Sequence, residues 1–164
     1  MQNLDLNIVP TPCFVLDLEK IRDNLRILGI VKKRCGARIL LAQKAFAMFS
    51  VYPLLRTVLD GVCASSPYEA RLGREEFGRE VHSFAAAFSE ADLQTILQFS
   101  DHVVFNSFSQ WRRFRELCRK HEKLVSFGLR VNPEHSEAVA ELYSPCARGS
   151  RLGIRKDAFA GESL

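Results

Sequence analysis

Short apolar runs alternate with stretches whose apolar positions recur every three or four residues, and the alternation sets in at residue 38. The runs predict strands at 38–43, 62–65, 81–86, 102–105 and 125–131. Between them the spacing predicts helices near 46–59, from Ser66, from Ser89 and over 107–121. Ser66, Pro67 and Glu69 supply an N-cap serine, a proline in the first turn and a glutamate at the third helical position. Ser89 opens the next helix, with Leu93, Ile96 and Leu97 on one face. Over 107–121 the inward positions are Trp111, Phe114, Leu117 and Cys118, and Asn132-Pro133 stops the last strand. Ahead of this period, Thr11 to Leu16 reads as extended. Asp17 then caps a helix with Leu18, Ile21, Leu25 and Leu28 in one stripe. After the period, 134–150 is a polar loop leading into Gly149-Ser150-Arg151-Leu152-Gly153-Ile154, and loops of such length are usually functional or mobile.

The strands recur at intervals of roughly twenty residues, a tight βα period. They are apolar on both faces, as parallel strands covered by helices are. The fold class expected is therefore α/β, with residues 1–37 forming an extended segment and helix ahead of a βα region over 38–164. Five such strands do not close an eight-stranded barrel, which takes about 250 residues. Two architectures remain: an open five-stranded parallel sheet, or the front part of a larger barrel. No GxGxxG follows a strand and there is no GxxxxGK[ST] loop, which argues against dinucleotide or P-loop nucleotide binding.

Composition narrows the class. The 164 residues are 47% hydrophobic and 26% charged, enough for one core. The net charge of +4 is scattered. Its densest stretch, Arg112 to Lys120, alternates with Phe114, Leu117 and Cys118, so it reads as the solvated face of a helix and not a nucleic-acid surface. Five cysteines with no CxxC pair suggest neither a disulfide framework nor a zinc site. The amino terminus lacks the basic and apolar regions of a signal peptide, and no run is long enough to span a membrane. A cytoplasmic protein without membrane or nucleic-acid partners is expected.

Lys44 is the residue that points to chemistry. It closes the first apolar run, and the C-terminal end of a barrel strand is where this architecture keeps its active site. An amine there can form a Schiff base with a carbonyl cofactor such as pyridoxal 5'-phosphate. The alternative is a strand-end lysine that simply reaches solvent. Cys63 and Cys146 fit inert thiols, His82 and His102 fit structural histidines at strand starts, and Glu69 fits a capping glutamate better than a charge partner.

Six blocks resemble the carboxynorspermidine/carboxyspermidine decarboxylase family of alanine racemase-like pyridoxal-phosphate enzymes. They are Thr11-Pro12-Cys13-Phe14-Val15-Leu16-Asp17, Leu40-Leu41-Ala42-Gln43-Lys44-Ala45-Phe46-Ala47, and Ala64-Ser65-Ser66-Pro67-Tyr68-Glu69-Ala70-Arg71-Leu72-Gly73. The others are Asp101-His102-Val103-Val104-Phe105-Asn106-Ser107, Gly128-Leu129-Arg130-Val131-Asn132-Pro133, and the stretch from Leu142 through Pro145-Cys146 to Arg151-Leu152-Gly153. The first, second and fifth are common to the wider class. The third and the last are closer to this decarboxylase than to ornithine or diaminopimelate decarboxylase.

The resemblance implies an incomplete (β/α)8 TIM-type barrel with the C-terminal β domain missing, and a homodimer for the full-length family member. It implies pyridoxal phosphate carried on Lys44, Arg130 near the cofactor on the inner end of a strand, and Arg151 approaching the cofactor's phenolic oxygen. It also implies decarboxylation of a carboxylated polyamine to norspermidine or spermidine. The family's ring-stacking histidine, glycine-rich phosphate loop and the carboxylate facing the pyridine nitrogen have no counterpart in these 164 residues. His135 and Arg148 also depart from its pattern. The chain alone is thus expected to be inactive, and its open strand edges to favour self-association. A non-catalytic fragment and another enzyme of the class, such as an amino-acid racemase, are the alternatives.

Overall fold

The computed structural model describes residues 5–139 and 143–162. Leu142, which begins the last of the six blocks, lies outside the described residues, as do Met1 to Leu4 of the segment read for a signal peptide. Five strands, β1 (Leu40–Ala42), β2 (Gly61–Ala64), β3 (Glu80–Phe84), β4 (His102–Phe105) and β5 (Ser126–Leu129), form one sheet. Every pairing is parallel, and the spatial order β1-β2-β3-β4-β5 is the order in sequence. That order decides between the two architectures left open above. A doubly wound sheet reverses direction at a switch point, whereas each strand here lies beside its successor, as in a βα barrel.

Helices α1 (Leu18–Cys35), α2 (Tyr52–Leu55), α3 (Pro67–Leu72), α4 (Glu90–Phe99) and α5 (Phe108–Arg119) cover one side of the sheet. The core joins Val62, Val81, Val103 and Phe105 of the strands to Leu25, Tyr52, Leu93, Ile96, Leu97 and Phe114 of the helices. Side chains alternate along a strand, so the residues between these core positions turn the other way. Cys63 stands exposed between buried Val62 and Ala64, and Glu80, His82 and Phe84 are half-buried around buried Val81 and Ser83. The sheet therefore has one helix-covered face and one helix-free face.

Local sequence accounts for most boundaries. Asp17, Ser66, Ser89 and Ser107 each accept a backbone N–H of the helix they cap. The helix expected near 46–59 is shorter: a turn at 43–45 and a 3₁₀ segment at Phe49–Val51 precede α2. Pro53 explains this, since proline fits only the first turn of a helix. Leu18, expected in the buried stripe of α1, is 43% exposed, and burial in that helix centres on Leu25. A single π turn, Gly73–Phe77, follows α3. Gly73 sits there because a Cβ would come within 2.4 Å of Val62 Cγ2.

At the N-terminal end of the strands, two aspartates repeat one device. Asp60, just before β2, accepts the Ile39 N–H at 2.9 Å and pairs with Lys32 at 2.5 Å. Asp101, just before β4, accepts the Val81 N–H at 2.9 Å and pairs with Arg74 at 2.5 Å. Each stitches its strand's entry to a neighbouring strand.

Beyond β5 the chain makes a pairing that the hydrophobic pattern did not reveal. Ile154 bridges Val131 in parallel, with Ile154 N–H donating to the Arg130 carbonyl and Asn132 N–H to the Ile154 carbonyl, both at 2.8 Å. A sixth parallel position thus begins beside β5. No helix among the described residues is long and apolar enough to cross a membrane.

Candidate active site

The C-terminal ends of the strands gather the residues singled out in the sequence. Gln43, directly after β1, is 2% exposed and turned to the helix side. Its N–H donates to the Cys63 carbonyl at 3.2 Å, its Nε2 donates to the Glu69 carbonyl at 2.8 Å, and its Oε1 accepts from Tyr52 Oη at 3.2 Å. Ala45 and Phe46 both donate to the Ala42 carbonyl, closing a turn around Lys44. Lys44 is thereby held at the strand tip beside Cys63, a residue of the helix-free face. Surrounding atoms push the Cys63 thiol up by desolvation, and the Lys44 charge opposes that shift. Burial, and then the Glu69 charge, raise the Tyr52 hydroxyl.

Arg130 follows β5 at the opposite side of the sheet. Its guanidinium lies 4.7 Å from the ring centroid of Phe84, at the C-terminal end of β3 on the helix-free face. Lys44 and Arg130 therefore share a face and a strand end, with the tips of β2, β3 and β4 between them. Glu69 takes the capping role. Its carboxylate accepts the Ser65 N–H at 2.6 Å while its own N–H donates to Ser66 Oγ.

Arg151 lies in the turn before Ile154, a turn fixed by two asparagines, Asn106 and Asn132, for which the sequence predicts no such role. Asn106, just past β4, donates from Nδ2 to the Arg151 carbonyl at 2.9 Å and accepts the Gly153 N–H at 2.7 Å. Asn132, buried to 3% exposure, donates from Nδ2 to the Leu152 carbonyl at 3.2 Å. Gly153 has φ of +83°, and a Cβ there would lie 2.9 Å from the Asn132 nitrogen. The turn thus packs against the ends of β4 and β5, on the side of the sheet where Arg130 lies. The available signal was an asparagine immediately after each of two apolar runs, a residue type suited to bonding nearby backbone.

The arrangement is cationic at its rims and aromatic between them. Lys44 stands at the tip of β1 and Arg130, stacked over Phe84, at the tip of β5; an amine for a carbonyl and a guanidinium for oxyanions are the chemistry that an anionic, phosphorylated aromatic aldehyde calls for. Lys44 is exposed.

No protein-family model matches the chain. It is 43% identical over 161 residues to carboxyaminopropylagmatine decarboxylase of Synechocystis sp., covering 98% of this chain and 41% of that relative. It is 38% identical over 156 residues to carboxynorspermidine/carboxyspermidine decarboxylase of Campylobacter jejuni, covering 95% of this chain and 40% of the relative. Among solved structures, carboxynorspermidine decarboxylase complexed with norspermidine from Campylobacter jejuni superposes with a TM-score of 0.81 at 33% identity, over 95% of this chain and 39% of that one. The chain spans about two-fifths of the length of the curated relatives it matches. The likeness to this group of decarboxylases therefore runs through nearly all of the chain.

Proposed function

We propose that this chain carries the lysine-bearing part of a pyridoxal-phosphate-dependent decarboxylase site for carboxylated polyamines. The observation that carries the proposal is the position of Lys44 at the C-terminal tip of β1, beside Cys63 of the helix-free face, with Arg130 at the tip of β5. Bound pyridoxal phosphate supplies an electron sink for the pair left behind when carbon dioxide departs. In the chain itself, the buried amide of Gln43 fixes the strand end and so aims the Lys44 amine, the proposed attachment point for the cofactor's carbonyl carbon. Arg130 and Arg151 are proposed to offer positive charge to the cofactor's oxygens, Arg130 held over Phe84 and Arg151 carried by the turn that Asn106 and Asn132 pin.

The proposed substrates are carboxynorspermidine and carboxyspermidine, giving norspermidine and spermidine. The names of the relatives share a carboxylated aminopropyl head and differ in the rest of the molecule, so the carboxylated head is the firmer part of the proposal. Water has free access to Lys44 on the open face. For that reason the 164-residue chain alone is expected to release no carbon dioxide from carboxynorspermidine. Measurable release would show that the open face suffices for turnover.

Attachment is tested separately from turnover. The chain is incubated with an equimolar amount of pyridoxal phosphate, reduced with borohydride and mapped by peptide mass spectrometry. The expected result is a pyridoxyl adduct concentrated on Lys44 and lost in Lys44→Ala. Preferential labelling of another lysine, or an unchanged total adduct in the variant, would overturn the assignment.

A further inference from the structure

The helix-free face carries a second set of polar side chains, one layer nearer the N-terminal end of the strands than Lys44. Glu80 and His82 are two residues apart on β3, and so share a face. Parallel register places His82 directly beside His102 of β4. The two imidazoles stack with centroids 4.0 Å apart and planes 21° from parallel. His82 Nε2 lies 3.2 Å from Glu80 Oε2. One ligand atom from each of the three residues lies within 4.8 Å of the other two, and all three residues are half-buried.

We propose that Glu80, His82 and His102 form a divalent metal site of the zinc class that ties β3 to β4 on the open face of the sheet. Two imidazole nitrogens and one carboxylate oxygen are a borderline donor set, suited to zinc and its late transition-metal neighbours and poorly suited to magnesium or calcium. Zinc bonds of about 2.0–2.1 Å place tetrahedral ligands roughly 3.4 Å apart. The Glu80–His82 pair already has that spacing. His102 closes the set by tilting out of the stack. Three protein ligands leave the fourth position to solvent.

Arg38 supports the geometry from behind. Its Nη2 lies 2.6 Å from Glu80 Oε1, which leaves Oε2 turned toward His82. Sequence spacing conceals the set, since His82 and His102 are 20 positions apart and only the parallel register makes them neighbours. None of the three residues belongs to the proposed cofactor site, so this inference goes beyond that reading and stands apart from it.

The test adds zinc alone to the untagged chain. Titration against a chromophoric chelator should give one equivalent of bound zinc. His82→Ala and His102→Ala should each weaken binding at least tenfold, Glu80→Gln about tenfold, and His135→Ala less than twofold. Far-UV circular dichroism and urea midpoints check that the variants fold. In the unmutated chain, one equivalent of zinc should shift the imidazole resonances of His82 and His102 and leave those of His121 and His135 in place. Unmoved His82 and His102 resonances at saturating zinc, or an affinity set by His135 instead, would overturn the proposal.

Discussion

Gln43 and Gly73 show how closely the strand tip is built around Lys44. A Cβ on Gly73 would meet Val62 Cγ2 at 2.4 Å, Gln43 Nε2 at 3.2 Å and Val81 Cγ2 at 3.3 Å. Gly73→Ala is therefore expected to destabilise the chain by about 1–3 kcal/mol through overpacking, read as a lower urea midpoint with an unchanged slope. Gln43→Leu keeps the volume but leaves the Tyr52 hydroxyl and the Glu69 carbonyl without this partner. A loss of about 1–3 kcal/mol is expected from the same measurement, together with a broader distribution of pyridoxyl label across other lysines. Retention of full stability and label selectivity would mean that Gln43 does not aim the amine. Gly153 is another position where only glycine fits well, with φ at +83° and Asn132 in close approach. The Arg-Leu-Gly pattern thus has a backbone reason as well as a charged side chain.

Elements are joined at the strand entries by Asp60 and Asp101, and Asp101 carries a pH prediction. Burial raises its carboxyl, but the Arg74 guanidinium, the Val81 N–H and the Lys123 charge outweigh burial and the net shift is downward. A carboxyl lowered on folding contributes stability that is fully present above its unfolded value, near 3.9, and is lost as pH falls through the lower folded value. Urea midpoints should therefore fall below about pH 4, and Asp101→Asn should remove part of that acid-limb dependence while lowering the midpoint at pH 7. An Asp101→Asn variant with the same acid limb as the parent would exclude this role. Helix entries make a smaller contribution. Ser66→Ala removes the acceptor for the Glu69 N–H and is expected to cost about 1 kcal/mol, with hydrogen exchange rising first in α3.

For the whole molecule, the sequential parallel order leaves one face covered by helices and the other open, and β1 pairs only with β2 among the described residues. Unpaired edges of this kind recruit further strands. Size-exclusion elution of the purified chain should therefore shift to larger species as concentration rises. A sharp monomer peak independent of concentration would count against an accessible edge. The open face also explains why attachment of cofactor and turnover are expected to separate: an amine at a strand tip can be labelled without an enclosure, whereas decarboxylation draws on a site that excludes water.

The amino-acid sequence by itself determined the alternation of five strands with helices, the caps at Asp17 and Ser66, the helix starts near Ser89 and Ser107, and the placement of Lys44 at a strand end. These depend on local propensity and on periodicity within single segments, so one segment's residues suffice to specify them. Its reading ran too long for the helix at 46–59, where Pro53 restricts the helix start, and too deep for Leu18, whose neighbours leave it exposed. Only the tertiary structure decided the order of the strands, the pinning of the 151–153 turn by Asn106 and Asn132, the parallel bridge of Ile154 to Val131, and the meeting of Glu80, His82 and His102. Each of these joins residues distant in sequence. Pairing register and the choice between two sheet faces are properties of neighbouring strands together, and no single segment encodes them.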